Sequence, residues 1–186
     1  MPVASIDAMS VETVKAKLPE YAKDIKLNLG STLGATANAA LSPAQRWGAA
    51  LACAIASREP NVLAGVLADS SGHLSDVEIE AAKGAAAIMS MNNVYYRSAH
   101  QLGGEYEDLP ARLRMQIIGR HGADAVDFEL WCLAVSAING CDRCLRSHEE
   151  VLRTKGMAAE AVQEAVRIAA VIHAAAVVMA AETALA

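Results

Sequence analysis

Twice along this chain a serine stands three positions ahead of a glutamine or glutamate and directly before a long run of small apolar residues: Ser42-Pro43-Ala44-Gln45 and Ser75-Asp76-Val77-Glu78. Such capping boxes satisfy two backbone N–H groups that a helix start leaves orphaned, and a proline at the first helical position removes a donor that had no partner anyway. The runs that follow are dominated by alanine, the best intrinsic helix former, and no segment sustains the period-2 alternation of a half-buried strand. These signals predict an all-α, multihelical chain and exclude a β-sandwich or barrel. With two Trp, four Tyr and one Phe in 186 residues, its core must be filled by small side chains at close helix crossings.

The remaining punctuation is also helical. Ser10 caps a first helix that Leu18-Pro19 interrupts, and Tyr21, Ile25 and Leu29 then form an apolar stripe in a second. Residues 30–40 read as a loop. Helices are expected over 43–57, from Pro60, from Ser75 through Met89 and beyond, and over 110–118. Asp124 or Asp127 can cap a helix carrying Phe128, Trp131 and Leu133 to Ile138, which Asn139-Gly140 ends; the next runs from Cys141 to Lys155, and the last over 158–183. Residues 1–9 read as a flexible N-terminus and 10–186 as a single helical domain. A faint internal echo joins 87–93 to 133–140, each a small-apolar helix leading to an Asn-containing turn, which suggests two related helical hairpins.

Charge and cysteine usage narrow the function. The net charge is −5, the pI is about 5.5, and no basic run offers phosphates an electrostatic footprint, so nucleic acid is not an expected partner. Four cysteines are too few for a disulfide scaffold, and the first residues have neither a basic nor an apolar signal region, so a cytoplasmic protein is expected. The most apolar stretch, 168–181, falls short of the roughly 20 residues that span a bilayer. A buried core helix is expected there, and no membrane.

Chemistry concentrates in Cys141-Asp142-Arg143-Cys144, a C-x-x-C at a helix start directly after the Asn-Gly turn. Free N–H groups and the positive end of the helix dipole favour a thiolate at such a position. His148 follows Cys144 by four positions, so thiols and base share one helical face. Glu129, with 11 residues between it and Cys141, can fold back toward them through the hairpin. Other readings stay open at this point: half of a structural zinc site, for which Cys53 and Cys132 offer no second ligand pair, or two cysteines that merely pack. Cys53 and Cys132 lie in apolar helices and read as buried hydrophobes, and His173 as a satisfied core histidine. His73, His100 and His121 read as solvated, and Trp47 and Trp131 as core or interface anchors.

Glu129, then 11 residues, then Cys141-x-x-Cys144, then three residues and His148 resembles the active-site pattern of the alkyl hydroperoxidase D (AhpD) family, within the AhpD-like and carboxymuconolactone decarboxylase superfamily. The segments 18–28, 84–94 and 128–141 look like the same family, and the likeness spans nearly the whole chain after Ser10. The resemblance implies an antioxidant, all-helical homotrimer that acts as a lipoyl-dependent peroxidase and disulfide reductase. Its partners would be an AhpC-type peroxiredoxin and a lipoyl-bearing 2-oxoacid dehydrogenase subunit, with dihydrolipoamide dehydrogenase and NADH as the indirect electron source. Lipoyl groups would serve as cosubstrate, with no bound cofactor or metal. By the same resemblance Cys144 forms the sulfenate, Cys141 resolves it, and Glu129 and His148 relay protons. Family members carry histidine where this chain has Arg143, which cannot shuttle protons at neutral pH and would act electrostatically. The alternatives are a decarboxylase-type lactone enzyme and a zinc-stabilised helical interaction module.

Overall fold

A computed structural model describes residues 9–34, 37 and 39–185. Among them every regular element is a helix: α1 (Val11–Lys17), α2 (Lys23–Leu33), α3 (Pro43–Ser57), α4 (Pro60–Ser70), α5 (Asp76–Leu102), α6 (Glu105–Asp108), α7 (Ala125–Asn139), α8 (Asp142–Thr154) and α9 (Ala159–Leu185), with 3-10 turns at Glu20–Ala22 and Gln116–Gly119. Both capping boxes form as expected, at Ser42 with Gln45 and at Ser75 with Glu78. Ser10 caps α1 and Asp124 caps α7 through their side chains.

The centre is α3 against α7, with α5 and α9 closing the two sides; α8 forms an outer layer on α7 and α5, while α2 covers α9 and α4 carries α1. Alanine makes these crossings possible. Ala49, Ala50, Ala52 and Ala54 of α3, Ala82, Ala85 and Ala86 of α5, Ala134 of α7 and Ala165 and Ala175 of α9 are all fully buried. The large side chains are few and central: Phe128, Trp131 and Leu133 of α7 are buried, and the Trp131 indole N–H donates to the Gln45 carbonyl at 3.2 Å. Gly48 is the counterpart of Trp131, since a Cβ there would overlap the indole.

Several expectations are corrected. Helix α2 continues to Leu33, shortening the loop expected over 30–40, and Tyr21 lies outside it, 70% exposed, with its hydroxyl on Glu182 at 2.9 Å. That carboxylate and the hydrogen bond it accepts raise the Tyr21 pKa. No helix forms over 110–115: Leu109 is extended before Pro110 and Arg112 has φ 51°, a left-handed conformation that stops helical propagation. Asn92 and Asn93 sit inside an unbroken α5, so the expected first hairpin is absent. The echoing segments instead meet, with Asn93 donating to Ser136 at 2.9 Å and accepting from Asn139 at 3.0 Å. Of the expected flexible segment, 1–8 lie outside the described residues, while Met9 packs against the core.

The terminal helix forms as the expected core helix over nearly the expected 158–183, and departs from expectation only at His173. It runs 27 residues and is long and apolar enough to cross a membrane by length and composition. What marks it as a core element is packing: Ala161, Ala165, Ile168, Ile172, Ala175 and Met179 form a buried stripe, and the helix lies on α3, α7 and α2. His173 is on the opposite, exposed face, with the Ser57 hydroxyl 3.4 Å away, and is not a core histidine.

Candidate active site

The α7–α8 connection is built from two consecutive conformational requirements. Gly140 takes φ 64° to end α7, and Cys141 turns extended to begin α8 as its N-cap. The Cys141 sulfur accepts the Cys144 backbone N–H at 3.3 Å, the place a serine oxygen would occupy in an ordinary cap. Arg97 of α5 donates to the Asn139 carbonyl and ties the turn to the adjacent helix. In this frame Cys141 and Cys144 form a disulfide with Cα atoms 5.3 Å apart.

Burial distinguishes the two sulfurs. Cys141 is completely covered, whereas Cys144 retains 7% exposure and lines a cleft of about 360 Å³. Glu129 and His148 line the same cleft, together with Met89, Asn92 and Tyr96 of α5. One helical turn beyond Cys144, His148 faces back to α7, where its Nδ1 lies 2.6 Å from Glu129 Oε2. The carboxylate accepts the Nδ1 proton, fixing the ring's orientation and directing Nε2 toward α5, where Met89 Sδ is 3.3 Å away. Glu129 thus reaches the histidine, not the disulfide, while its neighbours Phe128, Leu130 and Trp131 are buried in the core.

Arg143 lines the same cleft as Cys144, with its guanidinium engaged by two contacts. Its guanidinium lies over Tyr96 at 5.6 Å and pairs with Glu107 of α6 at 3.5 Å. His100 joins this cluster, 3.2 Å from Glu107 and 3.7 Å from Asp142.

The other two cysteines are elsewhere. Cys53 and Cys132 are free and buried, and desolvation pushes both thiols far above the usual range. Among the described residues no group of three or more His, Cys, Asp or Glu is arranged to hold a metal ion. Trp47 is buried and its ring stacks at 4.9 Å on His73, which is exposed as expected; His121 is half-buried and stacks on Phe128 at 4.0 Å, so it is not simply solvated.

Sequence reasoning missed the α5 wall of the cleft and the apolar side chains opposite it, Met115, Ile118 and Val151. On α5 the helical spacing of Met89, Asn92 and Tyr96 is that of any core-facing stripe. The echo between 87–93 and 133–140 pointed to that segment as a repeat, and the family likeness over 84–94 pointed to it without giving any of its residues a role.

An all-α chain whose helix cap is a C-x-x-C disulfide, beside a carboxylate–imidazole pair, defines a dithiol–disulfide protein. Comparison with known proteins gives the family. Residues 104–186 match the carboxymuconolactone decarboxylase family. Near full length, the chain is 53% identical over 178 residues to the alkyl hydroperoxide reductase AhpD of Rhodospirillum centenum, covering 95% of this chain and 94% of that protein. It is 54% identical over 166 residues to the protein of the same name from Gluconacetobacter diazotrophicus (89% and 90% coverage), and 53% over 179 residues to that of Streptomyces griseus (96% and 99%). The chain belongs to the AhpD family.

Proposed function

We propose that this protein is an alkyl hydroperoxide reductase that cycles the Cys141–Cys144 pair between dithiol and disulfide, with electrons drawn from dihydrolipoyl groups. The observation that carries the reading is the disulfide at the cap of α8, opening into one cleft with the His148–Glu129 pair.

Access favours Cys144 as the reacting sulfur, since it alone of the two borders the cleft. A dihydrolipoyl thiolate attacks Cys144, breaking its bond to Cys141. The second lipoyl thiol then closes the lipoyl disulfide, leaving two reduced cysteines in the protein. The Cys144 thiolate next attacks the distal oxygen of a hydroperoxide: an S–O bond forms, the O–O bond breaks, and the departing alkoxide takes a proton to become the alcohol. Cys141 displaces water from the resulting sulfenic acid and restores the disulfide. His148, held by Glu129, supplies and recovers protons, and Arg143 acts at most electrostatically. The same dithiol would reduce the disulfide of an AhpC-type peroxiredoxin.

Assembly as a homotrimer in the cytoplasm belongs to this proposal. Supporting an assembly is an apolar surface on α5 and α6, where Val94, Leu102, Tyr106 and Leu109 are 57, 65, 47 and 56% exposed. Dihydrolipoamide dehydrogenase, lipoamide and NADH, with a hydroperoxide and with or without a peroxiredoxin, test the activity. NADH oxidation dependent on the protein is expected; no oxidation above that of the Cys141→Ser/Cys144→Ser variant sinks the reading. A lactone decarboxylase is the second reading, favoured by the family match over 104–186 and by the acid–base pair. It predicts that the double variant keeps full activity on a lactone substrate.

A further inference from the structure

Asn92 and Asn93 are consecutive, both buried, and differently employed. Asn93 is fully buried and bonded on both ends of its amide, to Ser136 and Asn139. Asn92 is 4% exposed, and its Oδ1 is buried with no hydrogen-bond partner among the described residues. A buried carbonyl without a donor is a standing cost that native proteins rarely retain. This one belongs to a residue that lines the cleft shared by Cys144, Glu129 and His148.

We propose that Asn92 is the binding residue for the peroxidic O–H of the substrate, an inference that rests on the hydroperoxide reductase reading. An alkyl hydroperoxide has one strong hydrogen-bond donor, the O–H on its distal oxygen. Its other end is apolar. The cleft provides complementary parts: an unpaired acceptor on α5, and Met115, Ile118 and Val151 as an apolar lining for the alkyl group. The χ2 torsion of asparagine is broad, so a modest turn of the amide brings Oδ1 onto the cleft as the donor arrives.

Capture of the O–H by Asn92 places the distal oxygen, the one that sulfur must attack, toward Cys144. During the step the S–O bond forms and the O–O bond breaks. The distal oxygen keeps its hydrogen as the sulfenic acid, and the electron pair leaves on the alkoxide oxygen, which takes its proton from His148. Asn92 transfers nothing. It selects which oxygen faces the sulfur.

Asn92→Leu tests this, because leucine matches asparagine closely in size and removes the orphan acceptor. Pre-reduced protein is mixed with tert-butyl hydroperoxide or with methyl methanethiosulfonate, a thiol reagent with no O–H or N–H, and the melting temperature is measured in parallel. The expected result is a fall of about tenfold or more in the ratio of the hydroperoxide rate to the thiosulfonate rate, with an unchanged or raised melting temperature. Asn92→Ala should show the same fall in the ratio. A ratio within twofold of wild type in both variants overturns the proposal, as does a ratio that falls only in step with a lowered melting temperature. If the wild-type protein does not consume the hydroperoxide at all, the function reading itself fails, a result distinct from either of these.

Discussion

At the scale of single residues, the four cysteines divide into two kinds by environment. Cys141 and Cys144 share a helix cap beside a cleft, whereas Cys53 and Cys132 are buried with thiols pushed far above the ordinary range by desolvation. After reduction, iodoacetamide at pH 8 should therefore label Cys144 first and leave Cys53 and Cys132 unmodified until the protein is denatured; peptide mass mapping reads the difference. His148 and Glu129 act as a unit because the 2.6 Å contact sets which imidazole nitrogen faces α5. Glu129→Gln keeps the shape but offers an amide in place of the carboxylate that orients and supports the ring. A loss of about a hundredfold in kcat/KM for hydroperoxide is expected. A loss below threefold would remove Glu129 from the relay.

At the scale of elements, much was legible because the signals are local. A capping serine and the side chain three positions on carry their own geometry, and both boxes form. The start of α8 was readable for the same reason: glycine after asparagine ends one helix, and C-x-x-C begins the next. The opposite wall of the cleft was not. Met89 meets His148 across 59 positions, and no local pattern distinguishes a side chain aimed at a cleft from one aimed at the core. Pro110 misled for a related reason, since proline opens helices and loops alike, and the left-handed Arg112 that decides the matter carries no sequence signature. Two glycines give stability predictions. Gly140→Ala, at φ 64°, should cost roughly 1–2 kcal/mol in chemical denaturation. Gly48→Ala forces a methyl group into the Trp131 ring and should cost about 1–3 kcal/mol or more.

At the scale of the whole molecule, an alanine core gives the chain its close-packed centre of α3, α5, α7 and α9, on which α8 is held as an outer layer. Packing of this kind sets α7 and α5 as the walls that carry Glu129 and Asn92 to the cleft beside the first turns of α8. The exposed apolar side chains of α5 and α6 are the surface on which the proposed trimer is expected to close. Sedimentation should give three chains per particle, and Leu102→Glu with Leu109→Glu should shift it toward single chains. The central claim is that one dithiol turns over per hydroperoxide. Mass spectrometry of the intact reduced protein, mixed with a limiting amount of tert-butyl hydroperoxide while the alcohol is quantified, tests it directly. The expected result is one protein molecule losing two hydrogens, mapped to a Cys141–Cys144 disulfide, for each alcohol formed, and no alcohol from Cys144→Ser. Alcohol formed at the wild-type rate by Cys144→Ser, or formed with the Cys141–Cys144 pair still reduced, would contradict it.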